Sequence, residues 1–172
     1  MKYLGGKNKI SKYIADFIRN SVGPDMVDGY LEPFCGSLAI TVRMNDYKKV
    51  IASDIHSDLI KLWKEVQKNK FTPPATLNEE QWKEIKTHKS PSALKAFVGF
   101  GCSFGGKYFG GYAQKYTNGK KEDYLKAVTN SINKIRPQIK DVKFYNKDYN
   151  KWRPKNMLIY CDPPYVSSKF PV

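Results

Sequence analysis

The chain has 172 residues, 41% of them hydrophobic, and its 30 lysines and arginines against 16 aspartates and glutamates give a net charge of +14. The apolar content suffices for a buried core and excludes wholesale disorder; no apolar run approaches the roughly 18 residues of a membrane span, and no secretory leader is expected. The charge favours a polyanionic partner, nucleic acid before an anionic membrane surface. Cys35, Cys102 and Cys161 are widely spaced without zinc-type pairing, which fits a reducing cytosol and three small buried hydrophobes.

Taken in chain order, Ile10, Tyr13, Ile14, Phe17 and Ile18 recur at helical spacing and predict a helix over Asn8–Asn20, broken at Gly23-Pro24-Asp25. Met26–Leu31 reads as a strand that opens into Glu32-Pro33-Phe34-Cys35-Gly36-Ser37 and a helix near Leu38–Met44. Lys49–Ser53 is a second strand ending at Asp54. Ser57 is placed to cap a helix with Leu59, Leu62, Trp63 and Val66 on one face. This alternation begins a parallel α/β sheet.

The pattern then changes. A short helix is expected over Asn78–Lys86, and from Ile85 to Lys121 there are seven lysines, no acidic residue and seven of the twelve glycines. That stretch reads as a mobile basic and aromatic segment rather than sheet core. The α/β rhythm returns with a helix stripe of Tyr124, Leu125, Val128, Ile132 and Ile135, then strands at Val142–Tyr145 and Asn156–Cys161.

Three places carry chemistry. The last strand delivers Asp162-Pro163-Pro164-Tyr165 at its carboxyl end, where open α/β sheets bind ligands. An acid and proline-flanked carbonyls accept hydrogen bonds from an amino group, and a tyrosine ring offers a face to a planar base. Gly36, between the first strand and the next segment, permits close backbone approach by a ligand, although no dinucleotide fingerprint is present. Asp54 ends the second strand, where an acid binds ribose hydroxyls or caps the following helix. His56 and His88 lack ligand-like spacing, so surface or capping roles are expected and no metal site.

These signals, in this order, resemble the Dam-type (D12 class) DNA adenine-N6 methyltransferases. Tyr3-Leu4-Gly5-Gly6-Lys7 resembles the family's N-terminal S-adenosylmethionine (AdoMet) motif, and Leu31–Leu38 its glycine loop. Ser53–Ile60 resembles the segment carrying the ribose acid, and Phe144–Tyr149 the acid–aromatic pair beside the cofactor adenine. Asp162-Pro163-Pro164-Tyr165 matches the catalytic tetrapeptide unchanged. The resemblance implies a Rossmann-like methyltransferase sheet, with 1–70 and 122–172 as the AdoMet-binding core and 71–121 as an inserted target-recognition segment. Family chains continue past the tetrapeptide, so a partial sheet lacking its C-terminal strands is expected. Such a chain is expected to be a fragment, a natural minimal form, or one whose sheet a partner chain completes, and an open edge strand favours self-association.

The implied cofactor is AdoMet, held by Tyr3, Lys7, Pro33, Phe34, Cys35, Gly36, Ser37, Asp54, Ile55, Asp148, Tyr149 and Asp162. The implied partner is double-stranded DNA, contacted by Lys107, Lys115, Phe104, Tyr108 and Phe109, with the three aromatics alternatively forming a small core. Asp162 and the Pro163 carbonyl would accept the N6 protons of a flipped adenine, with Pro164 in the turn and Tyr165 stacking on the ring. The setting is the cytoplasm of a bacterium or phage-infected cell, with no membrane role. The alternatives are a catalytically incompetent DNA-binding or assembly protein on the same scaffold and, less in keeping with the aspartate and the basic insert, an RNA or protein N-methyltransferase.

Overall fold

The computed structural model describes residues 1–114 and 123–164, together with the backbone of 116–117 and 120–121. Four parallel strands form the central sheet: β1 (Gly29–Glu32), β2 (Val50–Asp54), β5 (Lys143–Asn146) and β6 (Met157–Ile159). Between β2 and β5 a two-residue hairpin, β3 (Tyr116–Thr117) and β4 (Lys120–Lys121), stands apart from the sheet. The sheet order is β5-β2-β1-β6, with Leu31 opposite both Ile51 and Ile159, and Asp54 opposite Asn146. Every residue of β1 and β2 is buried, as interior parallel strands require. The strand at the β6 edge is only half buried.

Among the described residues five α-helices accompany the sheet: α1 (Ser11–Ser21), α2 (Ser57–Gln67), α3 (Glu79–Thr87), α4 (Ala93–Ala96) and α5 (Tyr124–Ile135). The α2 stripe packs as its spacing requires, with Leu59, Leu62, Trp63 and Val66 buried. A reciprocal cap starts α3: the Gln81 amide donates to the Asn78 side chain at 2.8 Å and the Asn78 amide to the Gln81 side chain at 2.9 Å. The Asp123 carboxylate accepts from the Lys126 amide at 2.8 Å and caps α5.

Several expectations are corrected. Leu38–Met44 is not an α-helix but a single 3-10 turn at Thr41–Arg43. Gly36 and Leu38 both have left-handed backbone (φ +44° and +63°), so helical geometry cannot start there, and the β-branched run Ile40-Thr41-Val42 disfavours its growth. Ser57 does not cap α2; His56 holds the cap position and makes no side-chain cap bond. On α1 the buried residues are Ser11, Ala15 and Ile18, while Tyr13 and Phe17 of the expected stripe are 75% and 72% exposed. The small residues let α1 lie close to the Thr41–Tyr47 turn, to which Arg43 ties it by donating to the Ser11 hydroxyl at 2.9 Å.

The largest correction concerns the glycine-rich segment. Residues 93–109 are not a mobile loop: α4 runs into a π-helical turn (Phe97–Gly101), and Phe97, Val98, Phe100 and Phe109 join the same apolar cluster as the sheet and α2. Phe97 meets Phe71 at 5.2 Å between ring centroids, and Trp82 meets Phe109 at the same distance. Their aromatic area is worth more buried than solvated, whatever the local glycine content. Cys35 and Cys102 are buried as expected, but Cys161, just past β6, is exposed. Among the described residues no helix is long and apolar enough to cross a membrane, and no His, Cys, Asp and Glu group could hold a metal ion.

Candidate active site

The strand order switches sides at β1: β2 and β5 follow on one side, β6 on the other. Adjacent turns that leave a sheet in opposite directions part, and the crevice between them is where α/β sheets bind ligands. Here a cleft of about 550 Å³ opens at that point. The turns after β1, β2 and β6 bring Gly36, Asp54 and Asp162 to it from positions far apart in sequence.

The turn after β1 is tightly held. The Cys35 amide donates to the Ser53 carbonyl at 2.9 Å, and the Gly36 amide to Asp54 Oδ2 at 3.1 Å. Buried Trp63 donates its indole N–H to the Gly36 carbonyl at 3.0 Å. A Cβ on Gly36 would stand 3.0 Å from the Tyr3 ring, so the left-handed backbone and the close ring both call for glycine. Asp54 Oδ1 accepts from the His56 amide at 2.9 Å, so this acid also steadies the start of α2. Burial raises its pKa against these hydrogen bonds, which lower it. A carboxylate offers about four acceptor sites, more than the backbone amides around Asp54 fill. Burial, then Asp54 and Glu32, push the Cys35 thiol far up, which makes it a packing residue rather than a nucleophile.

Asp162 meets Lys7, 155 residues away. The Lys7 ammonium donates to Asp162 Oδ1 at 2.9 Å and lies 2.7 Å from Oδ2, and it also donates to the Gly5 carbonyl at 3.1 Å. The N-terminal turn and the strand-end tetrapeptide are thereby joined at the cleft. Just inside β1, Glu32 is buried and accepts from Tyr30 Oη at 3.0 Å and Thr41 Oγ1 at 2.5 Å on the same oxygen, Oε2. Burial pushes its pKa up to about 8 in spite of those bonds, and the Asp162 charge adds to the rise. Burial thus favours the protonated form of Glu32.

The facing wall comes from the segment after α4. Phe100 packs on Tyr3 at 4.8 Å and on Tyr108 at 4.8 Å, and His56 stands edge-on to both Phe100 and Tyr108. His56 thus occupies a cap position, yet its ring is half-buried and its pKa is lowered by burial. His88 holds the corresponding C-terminal position on α3. Tyr108 Oη donates to the buried Asp58 carboxylate at 2.5 Å, and the Ser92 amide donates to the same group at 2.6 Å. Gly106 lies against the N-terminal turn: its carbonyl accepts from the Leu4 amide at 3.1 Å, and a Cβ on it would come within 2.6 Å of the Tyr3 nitrogen.

Residues 3–96 match the family model of the D12 class N6 adenine-specific DNA methyltransferases, over more than half of the chain. The chain belongs to that family. No curated protein matches it. The family match covers the N-terminal turn, the glycine turn, Asp54 and α4; Asp162 and the aromatic wall from Phe97 onward lie beyond it.

In this member of the D12 class family, Tyr3, Lys7, Phe34, Cys35, Gly36, Ser37, Asp54, Ile55, Asp162, Pro163 and Pro164 all line the cleft. Pro33 is buried beneath it, and Tyr149 reaches the rim by packing on Phe34 at 5.1 Å. Asp148 uses its carboxylate to accept from the Asn150 amide at 3.1 Å. Of the aromatic and basic group expected on DNA, Lys107 and Tyr108 line the cleft, Phe104 is 67% exposed and Phe109 only 7%. Phe109 therefore sits in the core, while Phe104 faces solvent. Tyr165 and Lys115 lie outside the described residues. Phe100, Gly106 and Glu32 also line the cleft without having been singled out as ligand-facing. The glycine pair 105–106 is the one local trace of this; nothing near Phe100 marks it.

Proposed function

We propose that the chain transfers the methyl group of AdoMet to N6 of an adenine flipped out of duplex DNA. The observation that supports this most is the meeting of Gly36, Asp54 and Asp162 at one crevice in a chain of the D12 class. The crevice suits a nucleoside-bearing cofactor: Asp54 retains lone pairs for ribose hydroxyls, Phe34 and Tyr149 flank an apolar rim, and Gly36 leaves the turn open. AdoMet would supply an electrophilic methyl group. In this reading 1–70 and 122–172 form the transfer core, and 71–121 carries target recognition.

The chemical difficulty lies in the acceptor, because the N6 lone pair of adenine is delocalised into its ring. Asp162 and the Pro163 carbonyl accept the two N6 protons and localise that lone pair toward the methyl group. The Asp162 carboxylate stabilises the positive charge that develops on N6, then takes the proton that leaves. Lys7 holds this carboxylate at the cleft beforehand, and the unused lone pairs of its oxygens leave room for the incoming amine. Tyr165 stacks on the base, and the exposed ring of Phe104 fills the place it vacates in the duplex.

The test is transfer of labelled methyl from AdoMet to unmethylated duplex DNA, with nucleoside analysis of the product. The expected product is N6-methyladenine. Folded protein that binds AdoMet but leaves DNA unlabelled would replace this reading with an incompetent DNA-binding scaffold. Label in RNA or protein instead would reassign the substrate.

A further inference from the structure

Away from the cleft, the chain from Lys143 to Lys155 carries five cations, Lys143, Lys147, Lys151, Arg153 and Lys155, against one acid, Asp148, in thirteen residues. That acid is already engaged with a backbone amide. Among the described residues no carboxylate lies within ion-pair distance of any of the five, whereas Lys7, Arg19, Lys83 and Lys95 each have one. A cluster left unpaired keeps its full attraction for an external anion.

The geometry gathers these charges on one surface. Residues two apart on a strand share a face, and Phe144 is buried, so Lys143 and Tyr145 stand on the opposite, open face of the β5 edge. The connection from β5 to β6 then crosses this side of the sheet as an irregular segment. Trp152 anchors it there by donating to the Ser53 hydroxyl at 3.3 Å, while that hydroxyl donates to the Lys147 carbonyl at 3.1 Å. Tyr145 meets Trp152 edge-on at 5.4 Å, and the Lys147 ammonium lies 4.2 Å from the Trp152 ring centre. Lys151, Arg153 and Lys155 are exposed along the crossing segment.

We propose that this surface is a second DNA contact, which grips the phosphate backbone of the duplex outside the methylated site. The inference rests on the reading of duplex DNA as substrate. The aromatic pair is not a platform for unpaired bases, because one face of Trp152 is taken by Lys147 and its side by Tyr145. It acts as the scaffold that fixes the cations. Contacts to phosphate carry no sequence information, so the surface adds affinity and holds the enzyme on long DNA without altering the site it reads.

The test replaces Lys143, Lys151 and Lys155 together by glutamine. None of the three side chains makes a hydrogen bond or ion pair among the described residues. The control chain carries the same charge loss at exposed positions elsewhere: Lys12→Gln on α1, Lys68→Gln at the C-cap of α2 and Lys134→Gln on α5. Affinity for a long unmethylated duplex is measured against salt concentration. Each lost phosphate contact lowers the slope of log affinity against log salt by about 0.9. The patch variant then has a slope shallower by between roughly 2 and 3. Over a fourfold rise in salt it loses about 40-fold less affinity than the unaltered chain. The control keeps the original slope. Equal slopes in all three chains, or equal shallowing in patch and control variants, overturn the proposal. Methyl transfer by the unaltered chain is scored separately: DNA left unlabelled by it removes the substrate reading, whereas labelled DNA with an unmoved slope removes only this surface.

Discussion

The two walls of the cleft are built by different means. On the sheet side, Gly36, Asp54 and Asp162 end strands whose ladders pair residue by residue, and each turn is anchored further by backbone hydrogen bonds or an ion pair. On the facing side, Phe100 lies in the π-helical turn, and Gly106 and Tyr108 belong to the chain after it, with left-handed residues at Gly105, Gly106, Phe109 and Gly111. That wall is latched to the rest of the cleft by Tyr108 on Asp58, Phe100 on Tyr3 and the Gly106 carbonyl on the Leu4 amide. Geometry distributed over a ladder resists a single substitution better than geometry held by individual side-chain and turn contacts. The wall carrying the proposed chemistry is the rigid one, and the wall open to retuning is the latched one.

If that contrast is right, removing a functional group from the rigid wall changes chemistry without changing shape. Asp162→Ala lowers the rate of methyl transfer by on the order of 10³-fold or more, as loss of a group that stabilises developing charge does. AdoMet affinity by equilibrium binding stays within a few-fold. Turnover retained in this variant would take Asp162 out of the chemistry.

Glu32 tests burial beneath the same wall. Its folded pKa of about 8 lies above the 4.5 of an exposed glutamate. Below pH 4.5 both states hold the proton and the site costs nothing. As pH rises from 4.5 through 8 the unfolded chain ionises first, and stability is progressively lost. The span is up to about 4 to 5 kcal/mol. Glu32→Gln, which mimics the protonated acid, removes this loss. Thermal melts at pH 5 and pH 9 should show the variant gaining on the original chain only at the higher pH; parallel melting curves would mean Glu32 ionises freely.

The latched wall predicts the reverse pattern, with shape failing first. Gly106→Ala meets both a left-handed backbone and the Tyr3 nitrogen, and costs about 3 kcal/mol. The melting temperature falls, and KM for AdoMet rises with it. Tyr108→Phe keeps the ring and removes the hydroxyl from Asp58, at a cost of about 2 kcal/mol. Its signature is a raised KM with kcat nearly unchanged; an equal fall in both would make Tyr108 part of the chemistry.

The rigid wall was also the legible one. Short apolar runs followed by Gly36, Asp54 and Asp162 announce strand ends, because a parallel strand needs continuous apolar residues and its ligand turn needs an acid or a glycine. The latched wall has no period of its own. Phe97, Phe100 and Phe109 are buried by partners distant in sequence, so their glycine-rich surroundings read as loop. Lys7 illustrates the same limit: its resemblance to an AdoMet motif was visible, but its pairing with Asp162 exists only once β1 and β6 are side by side. On α1 the periodicity of Tyr13 and Phe17 was real and misleading, since helix phase was decided by the small Ser11 and Ala15 against the neighbouring turn.

The bond from Trp63 to the Gly36 carbonyl makes the glycine turn observable by light. An indole wholly shielded from water emits toward the blue, and its emission responds to the group its N–H touches. Replacing Trp82 and Trp152 by phenylalanine leaves Trp63 as the one tryptophan, and excitation selective for indole over tyrosine makes it an intrinsic gauge of whether the turn shifts when the cleft fills.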